Sequence, residues 1–213
     1  MSQPLLILGT RTLAEEIADV AAEVPGFEVA GFVENMDRER TKDTLAGLPV
    51  FWLDDSAGLA ATHQAVCALS TTQRSRFVDQ ARRLGFRFAT LVHPTARVSS
   101  RSHLGEGTVI SVAAVVAAYT RLGDHVLVNR GVLIGHHAQI DDYVTIQPGA
   151  NVAGAGHIGR ASYIGMGAVV IDRIRIGSQS VVGAGSVVVR DVPDNVQVMG
   201  VPARVVKENI AGK

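Results

Sequence analysis

Two adjacent histidines, His136 and His137, stand in the stretch NRGVLIGHHAQIDDYVTIQPGANV, residues 129–152, which opens on Asn129. An imidazole titrates near neutral pH, so one held beside a nucleophile can take its proton and pass it to a leaving group. The single cysteine, Cys67, lies in the apolar run AVCAL with no histidine next to it. It reads as a buried structural thiol, and a covalent acyl-enzyme is not expected. His63, His103, His125 and His157 read as surface residues, and His93, ahead of Pro94, as a structural one. His125, His136, His137 and His157 are 11, 1 and 20 residues apart, which is no metal-ligand spacing, so no metal is expected.

The segment that carries these histidines repeats every six residues. From Val98 the series runs Leu104, Ile110, Val116, Leu122, Val128, Ile134, Ile140, Ile146, Val152, Ile158, Ile164, Val170, Ile176, Val182, Val188, sixteen aliphatic positions without a slip. The residue two places earlier is small at twelve of the sixteen, and glycine often follows the aliphatic residue, as at Gly105, Gly135 and Gly165. This is the grammar of a parallel β-helix, with aliphatic side chains pointing into a narrow prism and glycine allowing backbone angles that other residues resist. Three flats close a coil, giving about five coils. Pro202 suits the first turn of a short C-terminal helix that caps the open end.

The residues before the repeats follow other rules. PLLILG (4–9), FEVAGFVE (27–34), LPVFWL (48–53), AVCAL (65–69) and FRFATLV (86–92) read as strands. A helix follows Thr12, with Thr12 and Glu15 as a capping box, and another spans about 70–84. Alternating strands and helices imply a small α/β domain with a parallel sheet.

Composition narrows the function. The 213 residues hold 20 Lys+Arg and 20 Asp+Glu, so no basic field is available for nucleic acid or an anionic membrane surface. One cysteine excludes an intrachain disulfide and suits a reducing cytoplasm. MSQPLLILGT has no cationic flank and too short an apolar run for a signal peptide. No segment approaches the roughly 20 apolar residues of a membrane span.

LLILGT before a helix, VAGFVEN, LVHPTARV, the repeats, NRGVLIGHHAQIDDYVTIQPGA and GVPAR together resemble the left-handed β-helix acyltransferases, in particular the bacterial nucleotide-sugar N-acetyltransferases grouped with sialic acid O-acetyltransferases. The resemblance covers nearly the whole chain. It implies a Rossmann-like parallel-sheet domain over 1–92 that binds a nucleotide sugar, and a left-handed parallel β-helix with a C-terminal helix over 93–213. It also implies a homotrimer with sites between neighbouring β-helices, and acetyl transfer from acetyl-CoA to an amino sugar in surface glycan biosynthesis.

In that family a histidine after an aliphatic-Gly corner is the general base, in a pattern similar to N-x6-H-[DE]. Here Asn129, His136 and His137 take those three catalytic positions. His137 replaces the family's acidic residue, which leaves Asp141 or Asp142 as candidates to compensate. Thr145, Gly154, Met166 and Ala184 are the positions implied near acetyl-CoA, and Thr145 replaces a family histidine. Arg190, Arg204 and Lys207 are candidates for its phosphates. The family's G-x-x-G-H-G is reduced to Gly9-Thr10-Arg11-Thr12-Leu13-Ala14. Gly9, Thr10, Arg11 and Thr12 at a helix start can still meet phosphate, while Glu34 and Asn35 fall where relatives contact the nucleoside. A dinucleotide fingerprint is missing, because Arg11 and Ala14 stand where glycines would be needed. O-acetylation of a sugar hydroxyl, a non-catalytic β-helix assembly subunit and a nucleotide sensor are the other readings compatible with these residues.

Overall fold

The computed structural model describes residues 2–213. The chain begins with β1 (Gln3–Leu8), α1 (Thr12–Glu23), β2 (Phe27–Glu34), β3 (Thr44–Leu45), β4 (Leu48–Trp52), β5 (Gln64–Cys67), α2 (Ser75–Arg83) and β6 (Arg87–Phe88). These strands make one sheet in the order β3-β4-β2-β1-β5-β6, parallel except for the β3–β4 pair. Both faces of the sheet are covered, which is why Leu5–Leu8 of β1 are continuously apolar and buried rather than alternating. Leu5 and Ile7 pack with Ile17 and Val20 of α1, and Leu6 and Leu8 pack with Phe77 and Val78 of α2.

The expected capping box is not formed. Arg11, extended at φ −107°, is the residue before the helix, and no side chain caps it. Thr12 already lies in the first turn, where its hydroxyl cannot reach the amides a cap must serve. The second helix is also shorter than expected. A 3₁₀ turn over Thr72–Arg74 precedes α2, opened by the Thr71 hydroxyl accepting from the Gln73 amide. The expected strand 86–92 divides, with β6 staying in the sheet and Leu91–Val92 entering the prism.

From Leu91 onward, two-residue strands stack in parallel 18 residues apart, as in Val109↔Leu127↔Thr145↔Tyr163↔Val181. They form three faces. The first runs from Leu91–Val92 to Val181–Val182, the second from Arg97–Val98 to Val187–Val188, and the third from His103–Leu104 to Arg175–Ile176. The aliphatic series points inward and makes one continuous buried core. Thr108, Thr120 and Ser162, two places before an aliphatic residue, donate to the Gly123, Gly135 and Gly177 carbonyls.

The role expected of the corner glycines needs correction. Positive φ occurs further into each corner, for instance at Tyr119, His137 and Gly149, and not at the glycine that follows the aliphatic residue. Those glycines are needed because neighbouring coils touch. A Cβ on Gly135 would stand 2.5 Å from the Gly154 nitrogen.

The expected C-terminal helix is absent as well. Gln197–Gly200 joins the first face, and Ala203–Lys207 pairs with it antiparallel. β-Branched Val205 and Val206 suit a strand, and the hairpin occupies the sheet edge that the last coil would otherwise leave open. The following residues return toward the N-terminal sheet, where the Thr72 amide donates to the Lys213 carbonyl at 2.8 Å.

Candidate active site

His136 stands at the corner that leaves the second face, directly after Leu133–Ile134, with its side chain exposed. Its ring lies over Gly154, one coil on, and a Cβ there would meet the imidazole Cε1 at 2.9 Å and Nε2 at 3.0 Å. The Nδ1 atom is 3.0 Å from Nδ1 of His137, with the two rings nearly perpendicular. Among the described residues Nε2 has no hydrogen-bond partner, so it is the nitrogen open to a substrate. His137 has φ +58°, donates its amide to the Ala118 carbonyl and leans on the Tyr119 ring, with centroids 4.9 Å apart.

Neither Asp141 nor Asp142 serves His136. Asp141 pairs with His157 at 3.0 Å and accepts from Gln139, while Asp142 accepts from the Asp124 amide and from Arg160. Asn129 is buried at the opposite edge of the second face, its Oδ1 accepting from the Arg130 amide. One full flat separates it from His136, so the two do not meet at one point within a chain.

Of the positions implied for acetyl-CoA, Gly154 supports the His136 ring. Met166 and Ala184 are exposed, two and three coils beyond Arg130 on the same corner. They line a cavity of about 540 Å³ with Tyr163, Met199 and Lys207. Arg190 and Arg204 do not line it. Thr145 is a correction: it is fully buried, and its hydroxyl accepts from Arg74 Nη1 at 2.7 Å, so it offers nothing to a cofactor.

Arg74, also buried, donates to the carbonyls of His125, Val144 and Thr71. It pins the N-terminal sheet to the prism, a role sequence spacing gives no sign of. His125, expected on the surface, is buried there too, between Phe88 and Tyr143 and against Arg82. Burial first, then the Arg82 and Arg74 cations, push its pKa down to about 4. Cys67 is buried, and burial pushes its thiol up to about 11, which removes it as a nucleophile at neutral pH.

At the carboxyl ends of β1 and β2 the expected residues divide. Thr10 is buried and donates to Glu34 Oε2, while Glu34 Oε1 accepts from the amides of Asn35, Met36 and Asp37. Burial raises the Glu34 pKa, but the Thr10 hydroxyl and those three amides outweigh it and hold it below the usual value. Its oxygens are spent on shaping the loop, so Glu34 is not free to read a nucleoside. Asn35 bonds Gln80. Gly9 has φ +125° and packs on Leu69, while Arg11 and Thr12 are both exposed at the start of α1. A cavity of about 400 Å³ lies beside this loop, lined by Thr10, Asp37, Arg40 and Asp43. Arg40, which donates to the Thr10 carbonyl at 2.7 Å, was hidden in the charged run DRERTK, whose composition reads as solvated surface.

Among the described residues no three His, Cys, Asp or Glu side chains gather at one point, and no helix is long and apolar enough to cross a membrane.

No protein-family model and no curated protein matches the chain. Solved structures do. The acetyltransferase domain of PglB from Neisseria gonorrhoeae FA1090 in complex with acetyl coenzyme A is 31% identical, with a TM-score of 0.90 over 97% of this chain and 100% of that one. A histidine-to-asparagine mutant of perosamine N-acetyltransferase from Caulobacter crescentus, in complex with CoA and GDP-perosamine, is 28% identical, with a TM-score of 0.89 over 96% and 97%. WeeI from Acinetobacter baumannii AYE is 25% identical, with a TM-score of 0.85 over 95% and 99%.

Proposed function

The chain belongs to the left-handed β-helix family of sugar N-acetyltransferases, and from that premise we propose that it moves acetyl from acetyl-CoA directly to the amino group of a nucleotide-linked amino sugar, with His136 as general base. The observation that carries this is the open Nε2 of His136, on a ring held at two points, by Gly154 beneath it and His137 beside it. A relative solved with CoA and GDP-perosamine had a histidine replaced, which fits a histidine at the centre of the reaction.

The amine nitrogen attacks the thioester carbon, and the amine proton passes to His136 Nε2. The C–S bond then breaks, and the proton goes on to the departing sulfur, giving the amide and free CoA thiol. Such assistance is worth roughly 10²–10⁴-fold.

The segment 1–92 is read as the Rossmann-like nucleotide-sugar domain and 93–213 as the acetyl-transferring β-helix. The uncapped first turn of α1 leaves amides and a positive dipole end for phosphate, with Arg11 adjacent and Arg40 in the neighbouring cavity. Gly154, Met166, Ala184 and Lys207 are the positions proposed for acetyl-CoA. A homotrimer completes the site. Its support is the second face, where Leu133, Val169, Ile171 and Val189 are 36–45% exposed, and the placement of Asn129 and His136 on opposite edges of that face. Packing these faces together brings one chain's Asn129 edge toward its neighbour's His136. A cytoplasmic location belongs to the same reading, and its support is the use of acetyl-CoA as co-substrate.

The test is thiol release by the purified protein given acetyl-CoA and a panel of nucleotide-linked amino sugars. At least one sugar should give turnover, and His136→Ala should lose about 10²–10⁴-fold while still binding CoA. Full turnover by that variant rules out the base assignment.

A further inference from the structure

A general base at His136 needs its neutral ring in one of two forms. Nε2 accepts a proton only if it carries none, so the ring proton must sit on Nδ1. An Nδ1–H wants an acceptor, and the group within reach is Nδ1 of His137, 3.0 Å away. His137 must then keep its own proton on Nε2.

Taking His136 as the base, we propose that Arg101, Tyr119 and His137 form a three-coil positioning column that selects this tautomer and orientation of its ring. The three residues are 18 apart, one per coil, at the same corner. Tyr119 and His137 share the left-handed conformation, φ +64° and +58°, which sends both side chains out in the same direction. The Tyr119 ring is tilted 32° to that of His137 at 4.9 Å and limits how the imidazole can turn. Arg101 fixes Tyr119 in turn: Nη1 donates to the phenol oxygen at 3.0 Å, and the guanidinium lies 5.6 Å from the ring centroid.

A neutral acceptor brings no charge, so its usefulness depends on direction. When His136 takes the amine proton it becomes a cation, and its Nδ1–H bond to His137 becomes charge-assisted and stronger. His137 serves that bond only while its Nδ1 faces His136, which is what the column ensures.

Steady-state kinetics on the full chain test the column. His137→Ala and Tyr119→Ala should each lower kcat by about 10–100-fold, the cost of a base shifted by about 1 Å, with the acetyl-CoA KM held within about twofold. Tyr119→Asn, which tolerates positive φ, should repeat the loss if the alanine variant folds poorly. Tyr119→Phe keeps the ring and should stay within about threefold of the parent. His137→Asn supplies a carbonyl acceptor, also tolerates positive φ, and should restore most of kcat. The double variant Tyr119→Ala/His137→Ala should be no slower than His137→Ala alone, because Tyr119 acts through His137. Unchanged kcat in His137→Ala beside an inactive His136→Ala overturns the column alone, as do losses that multiply in the double variant. Full turnover in His136→Ala overturns the base assignment and the column with it.

Discussion

His136 gains its chemistry from what lies beneath it. An exposed imidazole on a smooth solenoid would sample several rotamers, but the flat surface at Gly154 and the neighbouring His137 hold it to one. A methyl group at 154 removes that seat, because it would come within 2.9 Å of the ring. Gly154→Ala is therefore expected to lower kcat by about 10–100-fold. Its thermal midpoint should barely change, since the ring can swing into solvent. Midpoint and kcat measured together check this, and a parental kcat would show that the seat is unimportant. Glu34 carries the opposite lesson at the same scale. A carboxylate at the end of β2 invites a ligand-binding reading, yet the Thr10 hydroxyl and three local amides consume it.

At the scale of elements, the corners do the work and the flats supply spacing. Each corner stacks on its equivalents 18 residues away, so a side chain there is set by its neighbours in the column. The column through Gly107, His125 and Tyr143 is closed over by the N-terminal sheet, and Arg74 reaches across to the carbonyls of His125 and Val144. His125 is consequently neutral in the folded chain, with a pKa near 4 against an ordinary 6.5. Between those values the unfolded chain binds a proton that the folded one does not. The stability contributed by His125 is thus complete above pH 6.5 and is lost as pH falls toward 4. Chemical denaturation across that window should show a falling stability that His125→Phe flattens. An unchanged slope in the variant would contradict the burial argument.

At the scale of the whole molecule, Asn129 and His136 stand on opposite edges of the second face, and the proposed site therefore needs a second chain to unite them. The exposed apolar residues between those edges, Leu133, Val169, Ile171 and Val189, are the contact the proposed trimer would use. Val169→Glu/Ile171→Glu puts two charges there without touching the core. Sedimentation should then report monomers with unchanged far-UV circular dichroism, and thiol release should fall below detection. A fully active monomer would refute the shared site.

Much of the architecture is legible in the amino-acid order. Sixteen aliphatic residues at a period of six fit a three-faced prism, in which residues six apart enter one core from successive faces and residues 18 apart stack in line. The parallel sheet is equally open to reading, because β1 is apolar on both faces. Asn129 and His136 stand out because their motif is local, within one coil. Misreadings fall where a residue's partner is distant in the chain. Nothing near Thr145 or His125 announces that Arg74, 71 and 51 residues earlier, lies against them. The C-terminal segment reads as a helix because nothing nearby reveals the open strand edge it pairs with.

By itself, the amino-acid order determined the repeating scaffold and, through a short motif resembling the family's, pointed to His136 as the proposed base, since periodicity and short motifs are properties of neighbours along the backbone. Only the tertiary structure decided which polar groups remain free. Burial and hydrogen bonding depend on which coils and sheets come to lie against one another, and that is why Nε2 of His136 stays open while Glu34 and Thr145 are consumed.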